Sequence, residues 1–434
     1  MKILLIGNGA REHILAKKLT DSSKCTSLLV YAGAVNPGIR DLAKTYHVGN
    51  MSDMQALQEF VNEYKPDFAI VGPENPIALG AVDVLKRIGI SCVAPTKQLG
   101  QLESSKSFTR ELLTKYEIPG NPHFKVFEND EGMTDYAHSL GEIVIKADGL
   151  HGGKGVHVQG DHFATIEEGV AIAKKALEQD GRVVIEEKLI GQEFSLMSFV
   201  DGTHVVDMPV IQDHKRAYEG DTGPNTGGMG TYNYPHNLPF LTDEDVKVAH
   251  EINVQVAVAL KKECGEEFKG IMYGGFIAVK NGVRLIEYNA RFGDPEAMNA
   301  LTLLETDLVD ICIGIIRGKL DEVDVRFARK ATVCKYAVPE GYPDNPVKGE
   351  RIEVGALPEG ASLYYAAVNE VNGDLIMTGS RAIAFVGVGE TIEEAESIAE
   401  KAAENAKGPL FHRRDIGTNG LIQKRVEMMK RLRS

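Results

Sequence analysis

Short apolar runs alternating with amphipathic stretches dominate the N-terminal part of the chain. Ile3–Ile6, Leu28–Tyr31, Phe68–Val71 and Ser91–Ala94 read as strands, each stopped by a glycine-, proline- or alanine-rich turn. Between them Glu12–Leu19, Asp53–Tyr64 and Ile77–Ile88 carry apolar residues at helical spacing. Such βαβ alternation predicts a parallel, Rossmann-like sheet covered by helices. Ligands of these sheets sit at the carboxyl ends of the strands. The turns Gly7–Gly9, Ala32–Gly38 and Gly72–Pro76 fall there.

The pattern changes from about Gln101. A helix over Ser104–Lys115 ends before Ile118-Pro119-Gly120, and two strand pairs follow, Ile143–Ala147 with Val156–Gln159 and Arg182–Glu187 with Glu193–Val200. A long amphipathic helix, Asp243–Glu263, leads into strands Ile271–Val279 and Val283–Asn289. After a helix at Asp307–Ile316, Gly318-Lys319-Leu320 reads as a boundary, followed by a glycine-broken hairpin over Leu363–Val388 and a helix at Ile392–Lys407. A chain of 434 residues exceeds one ordinary core, so roughly two to four domains are expected. The division is a parallel-sheet domain over 1–102, a mixed α/β domain over 103–322 with a small lid at about 120–190, and a small mixed α/β domain over 323–434.

Charge narrows the functions. Acidic side chains outnumber basic ones 62 to 48, for a net charge of −14, which disfavours nucleic acid as a partner. An anionic substrate must then meet a local basic cluster, a glycine turn or a metal ion. The five cysteines are scattered and form no CxxC pair, as in a reducing cytosol. No window approaches the roughly 18 apolar residues of a membrane span, and Ile3–Ile6 is too short for a signal segment. A soluble, cytoplasmic protein is expected.

Five segments carry candidate chemistry. Gly7-Asn8-Gly9-Ala10-Arg11-Glu12 begins like a dinucleotide fingerprint, but Glu12 stands at the third glycine and no acid ends the second strand, so NAD binding fails twice. A helix N-terminus there still offers amides to a phosphate; a tight packing turn is the plainer reading. Lys146-Ala147-Asp148-Gly149-Leu150-His151-Gly152-Gly153-Lys154-Gly155 lies between two strands and lacks the G-K-[ST] before a helix of a P-loop. Its flexible amides and two lysines suit a hinged cover over a triphosphate. Glu186–Glu193 joins two strands and could present carboxylates and backbone to a base and a ribose, though such turns are usually only solvated. Glu287 and Asn289 share one face of a strand, and Arg291, Asp294 and Glu296 follow, as at a magnesium–phosphate site. The densest segment is Asp213-His214-Lys215-Arg216 with Asp221–Gly230, where consecutive basic residues precede a glycine run able to approach a small ligand closely. His151 and His214, without a paired acid in sequence, read as loop hydrogen-bonders rather than catalytic bases.

Taken together these motifs resemble the glycinamide ribonucleotide synthetase (phosphoribosylamine–glycine ligase) family of the ATP-grasp superfamily. The resemblance runs from Gly7-Asn8-Gly9 to Arg414-Asp415-Ile416-Gly417. It rests most on Asp213–Arg216 with Thr222–Gly230 and on Asn289–Glu296, and Val71–Glu74 and Lys146–Leu150 match as well. It implies an ATP-dependent carbon–nitrogen ligase of purine biosynthesis, joining glycine to 5-phosphoribosylamine through glycyl phosphate, with ATP as co-substrate, Mg2+ or Mn2+ as metal, and a monomer. It further implies Lys106, Lys146 and the Gly152, Gly153, Lys154, Gly155 loop on the ATP phosphates. Glu186, Glu187 and Leu189 would bracket adenine, with Glu193 on the ribose and Glu287 and Asn289 on the metal. Arg291, Asp213 and Lys215 would orient glycine and the acyl phosphate. Gly7, Asn8, Gly9, Gly72, Pro73 and Glu74 would hold phosphoribosylamine, and Arg216, Asn225, Gly227, Gly228 and Asp294 would contact substrate. Ala10, His151 and Thr231-Tyr232-Asn233-Tyr234-Pro235 depart from the family pattern. Another ATP-grasp ligase or carboxylase would share the lysines, Glu287 and Asn289 but would not carry Asp213–Gly230. A silent nucleotide-binding regulator would have lost the lysine and metal positions.

Overall fold

The computed structural model describes all 434 residues. Strands Lys2–Ile6, Ser27–Ala32, Thr45–Val48, Phe68–Val71 and Ser91–Val93 form a parallel sheet. In it Lys2–Ile6 lies between Ser27–Ala32 and Phe68–Val71, with Thr45–Val48 and Ser91–Val93 at the edges. The winding direction therefore reverses beside the first strand, and the turns at Gly7 and Gly72 leave the sheet at this switch point. Leu4 and Ile6 pack on one face of the sheet, Ile3 and Leu5 on the other, as strand periodicity requires. The helix expected over Ile77–Ile88 is broken: Glu74–Leu79 ends at Gly80, whose φ of 91° no β-carbon-bearing residue adopts readily, and Ala81–Arg87 starts afresh. Thr45–Val48 and the helix Pro37–Leu42, capped by the Asn36 side chain, add to the expected elements.

The central part contains two antiparallel sheets. Phe124–Phe127, Val183–Glu187, Ile143–Ala147 and Val156–Val158 lie in that order, backed by helices Met133–Leu140 and Ile166–Asp180. This lid has its own apolar core, built on Phe127, Met133, Ile145 and Val183 and separate from the main core. The second sheet runs Val205–Asp207, Gln192–Asp201, Lys269–Val279, Gly282–Asn289, with helix Asp243–Cys264 against it. Val183–Glu187 and Gln192–Asp201 are therefore not a hairpin pair, contrary to the pattern reading. Val183–Glu187 is a central strand, hydrogen-bonded along one edge to Phe124–Phe127 and along the other to Ile143–Ala147, so no edge is left for Gln192–Asp201. The short connector Lys188–Gly191 thus crosses from one sheet to the other.

In the C-terminal part Ala331–Pro339, Ile383–Gly389 and Ala361–Tyr365 continue a sheet that begins with Gln212–Asp213 and Gly230–Asn233. The segment Asp213–Gly230 thus leaves and re-enters a sheet anchored by C-terminal strands. The hairpin read over Leu363–Val388 is present as Ala361–Tyr365 with Ile383–Gly389, with a second hairpin, Val368–Val371 and Asp374–Met377, inserted between its strands. All five cysteines are free, and no helix is long and apolar enough to cross a membrane.

A buried ion cluster staples helix Ile392–Glu404 and the His412–Arg414 stretch to this sheet. Lys335, fully buried, donates to Glu396 and Glu400, both at 2.6 Å, and to the Arg414 carbonyl, and His412 faces Glu400 at 3.1 Å. Burial favours the neutral Glu400, but His412 and Lys335 outweigh it and hold its pKa at about 2, against 4.5 ordinarily. A carboxylate whose folded pKa is depressed stabilises fully above its unfolded value, and the contribution fades as pH falls toward the folded one. Urea midpoints measured across pH should accordingly stay level down to about pH 5 and fall between about 4.5 and 2. Glu400→Gln should lower the midpoint at pH 7 and flatten that fall.

Candidate active site

Two adjoining clefts, of about 230 and 300 Å³, share Ile286 and Glu287. Lys106, Lys146 and Glu186 line one, with Glu193, Asp213 and Lys215 in the other. Residues far apart in sequence, most of them singled out by pattern, thus meet around the end of Gly282–Asn289.

The first cleft is built on buried charge. Arg110, Lys146 and Glu186 are 2%, 3% and 3% exposed. Arg110 forks onto Glu186 through Nε and Nη2 at 2.5 and 3.0 Å, and Lys146 Nζ meets the same carboxylate at 2.9 Å. Both cations also donate to the Ile286 carbonyl at 2.6 Å. The Glu186 side chain is therefore held by two cations rather than turned to a base. Its use is to fix Lys146, which burial would otherwise drive toward the neutral amine. Arg110 falls within the helix read over Ser104–Lys115, and only the fold reveals its pairing. Glu187 accepts the His123 amide at 2.8 Å, and Leu189 lies half-buried in the connector. Lys106 donates to the carbonyls of Glu103 and Gly149, so it touches the glycine loop directly. In that loop Gly152 and Gly153 have φ of 57° and 80°, and Lys154 is exposed. His151, which departs from the family pattern, bonds Asp180 at 2.9 Å and keeps its ring against Gly155.

Glu287 accepts no hydrogen bond from the protein, and its nearest cation is Lys215 Nζ at 3.8 Å. Burial alone would raise its pKa, but Lys215, Lys106, Lys146 and Arg291 hold it at about 2. Asn289 Oδ1 receives one long bond, 3.3 Å, from Arg291. Two hard oxygen donors with spare lone pairs on one strand face suit a divalent cation whose other ligands are phosphates and water. Burial opposes the charge on Lys215, yet Glu193, Glu287 and Asp213 keep it protonated. Asp213 is shifted upward by burial and by Glu296, and Tyr273 donates to Glu296 at 2.8 Å.

Arg291 links this site to the parallel-sheet domain. Its Nη2 meets Glu103 at 2.9 Å, and its buried Nε lies 3.4 Å from Glu74 with no hydrogen-bond partner. At the switch point Glu12 takes the Gly9 amide at 2.6 Å and the Arg11 side chain, and it fills the space beside Gly7 and Gly72. The Gly9 amide is thus already satisfied, so the phosphate cradle read from this turn is narrower than its glycines suggested. Asn8 accepts the Gly33 amide at 3.1 Å, and Pro73 packs against Gly7. His214 is fully buried, its pKa pushed down by burial to about 3, with Nδ1 3.3 Å from the Gly230 carbonyl. It is a neutral core histidine.

Sequence reasoning missed Arg381 and Tyr336. Arg381 Nη1 donates to the carbonyls of Gly227, Gly228 and Asp294 at 2.6, 3.0 and 3.1 Å, with its guanidinium 4.4 Å from the Tyr336 ring centre. Tyr336 donates to Asp294 at 2.7 Å, and Arg381 Nη2 pairs with Asp294 at 3.3 Å. Asp294 is therefore committed to the C-terminal strands instead of standing free for substrate. A lone arginine in a loop carries no sequence signal. Arg381→Lys keeps the charge but loses the planar guanidinium that bonds the three carbonyls through Nη1, pairs with Asp294 through Nη2 and stacks on Tyr336. It should lower kcat by about tenfold, the scale of a small misplacement at a reacting centre, with the KM for ATP nearly unchanged in steady-state kinetics.

Family models match nearly the whole chain. The phosphoribosylglycinamide synthetase N domain covers residues 1–103, its ATP-grasp domain 104–297 and its C domain 332–419. The chain belongs to this family. The phosphoribosylamine–glycine ligases of Methanocaldococcus jannaschii and Methanosarcina barkeri are 49% and 46% identical to it, over all of both chains. The crystal structure of the Thermotoga maritima phosphoribosylamine–glycine ligase superposes with a TM-score of 0.80 at 30% identity, covering 96% of this chain and 100% of that one. N5-carboxyaminoimidazole ribonucleotide synthetase from the same organism superposes at 0.63 with 17% identity, over 94% and 98% of the two chains, a likeness of fold alone. The family's ATP-grasp domain spans the lid, the second sheet and the Glu287–Asp294 strand end described above.

Proposed function

We propose that this chain joins glycine to 5-phosphoribosylamine at the expense of ATP, giving glycinamide ribonucleotide, ADP and phosphate in purine biosynthesis. The observation that carries the reading is the convergence of Lys106, Lys146, Lys215 and Arg291 on Glu287, beside the Asp213–Gly230 segment, in a member of this family. Glycine carboxylate is a poor electrophile because its leaving group would be oxide. Attack by a carboxylate oxygen on the γ-phosphorus forms a new P–O bond as the bond to the β-phosphate breaks, and ADP leaves. The phosphoribosylamine nitrogen then attacks the carbonyl carbon, the C–O bond to phosphate breaks, and the amine loses a proton. Both steps need positioning and charge neutralisation more than a strong base.

Each group has a part in this scheme. Lys106 and Lys146 neutralise transferring phosphate oxygens, and the Gly152–Gly155 loop with Lys154 covers them. The connector Glu187–Leu189 presents backbone to the base, with Glu193 at the ribose. Lys215 and Arg291 hold the carboxylate and acyl phosphate, and Asp213 the amino group of glycine. Glu74, Asn8 and the Gly7 and Gly72 turns receive phosphoribosylamine, with Gly227 and Gly228 closing over it. Glu287 and Asn289 would hold Mg2+ or Mn2+, which supplies charge neutralisation between nucleotide phosphates. Chelation should abolish turnover, and addition of either ion should restore it, in an ADP-release assay. A sharper test labels the glycine carboxylate with 18O: one labelled oxygen should appear in the released phosphate. Unlabelled phosphate alongside labelled amide product would contradict acyl-phosphate formation.

A further inference from the structure

The lid touches the rest of the molecule along two separate lines of very different character. On one side its contacts are buried or half-buried: the Arg110–Glu186 fork, and Asp148 on the Ser107 amide at 3.1 Å at the start of helix Lys106–Lys115. On the other side the turn between strand Val156–Val158 and helix Ile166–Asp180 meets the segment that follows Asp213. Asp161 pairs with Arg216 Nη2 at 2.7 Å, and Arg216 Nη1 donates to the Gly223 carbonyl at 2.8 Å. One residue on, His162 Nδ1 accepts the Val158 amide at 3.0 Å, so Nε2 carries the proton; it lies 3.3 Å from Asn225 Nδ2, and turning the Asn225 amide end for end gives it Oδ1 as acceptor. Gly153 of the nucleotide loop approaches the Thr226 carbonyl at the same place.

The receiving surface is rigid. Arg216–Tyr218 and Thr222–Asn225 form a two-stranded ribbon. Its Asp221 turn is held by Arg413 and Arg425 at 2.9 and 2.8 Å, and the Arg216 carbonyl by Arg413 at 3.0 Å. Arg216 and Asn225, read from sequence as substrate contacts, thus spend their side chains on the lid. The Asp161 and Arg216 side chains are 50% and 20% exposed. Exposed pairs of this kind contribute little net stability and part readily, as a contact made and broken in every turnover must. The lid's separate core lets it move as one body about the buried side.

We propose that Asp161 and His162 latch the closed lid onto the substrate ribbon through Arg216 and Asn225, so that covering the nucleotide and seating the Gly227–Gly228 turn are one event. This rests on the ligase reading. Asp161 and His162 are positioning residues: they touch no reacting atom, and they keep water from the acyl phosphate by keeping the lid down. The test is a charge swap in the full-length chain, Asp161→Arg, Arg216→Asp and both together. ADP and amide product are counted with ATP, magnesium, glycine and phosphoribosylamine generated in situ. Each single variant should release two or more ADP per amide, roughly, and lose about tenfold in kcat/KM for glycine, whereas the double variant returns close to one ADP per amide. Cutting at Lys154 by a lysine-specific endoproteinase, which ignores the introduced arginine, in the presence of a non-hydrolysable ATP analogue gives a readout free of chemistry: faster in the singles, slowed again in the swap. Single variants that stay coupled one to one, or a folded double variant that recovers neither coupling nor protection, would overturn the latch. A wild type that forms no amide would overturn the ligase reading itself.

Discussion

Replacing Glu287 by glutamine should lower kcat on the order of 100-fold or more while the chain still folds. The carboxylate is the one strongly ionised group at the junction of the two clefts, and four cations hold it so. An amide of the same shape loses the charge that a divalent cation needs, so the metal concentration for half-maximal rate should rise as well. It also leaves Lys106, Lys146 and Lys215 facing one another with one anion fewer, so thermal unfolding should come earlier. Glu287→Asp separates the two effects, because it keeps the charge and shortens the reach. Its melting temperature should stay near that of the wild type while kcat remains depressed. Steady-state kinetics against metal concentration, alongside thermal unfolding, reads both.

The second large effect is expected at Glu186. Glu186→Gln leaves the buried cations Arg110 and Lys146 against a neutral amide, and breaking a buried pair from one side costs about 3–5 kcal/mol. Lys146 should then escape by losing its proton, since burial already drives it that way. Urea unfolding should show the loss of stability, and the KM for ATP should rise because Lys146 no longer brings a charge to the phosphates. A glutamate that bracketed adenine and nothing more would show the second effect without the first. Truncating Arg110 to methionine should reproduce the stability loss, because the pair is then broken from the other side.

What the sequence disclosed was chemistry that lies close together along the chain. The glycine turns, the Lys146–Gly155 loop, the Glu287/Asn289 strand end and the Asp213–Gly230 segment each carry their residue types within eighteen positions or fewer. The parallel sheet was legible for the same reason, since four of its strands are apolar runs bounded by turns. Thr45–Val48 escaped because an edge strand of Thr-Tyr-His-Val has little apolar pattern. The false hairpin between Val183–Glu187 and Gln192–Asp201 arose because adjacency in sequence favours pairing, whereas Ile143–Ala147 and Phe124–Phe127 enclose the first strand. Arg110, Glu103, Arg381, Tyr336 and Asp161 acquire meaning only through partners at least 42 positions away. Glu12 was visible as the residue that spoiled a dinucleotide motif. That it fills the space between two glycine turns needed the fold.

The measurement closest to the central claim is ADP release by the purified chain with ATP and magnesium, given glycine alone, phosphoribosylamine alone, or both. Phosphoribosylamine is labile and is generated in situ. Rapid release that requires both substrates, with one amide formed per ADP and alanine much poorer than glycine, is the expected result. Tight ATP binding with no dependence of ADP release on either substrate would contradict it.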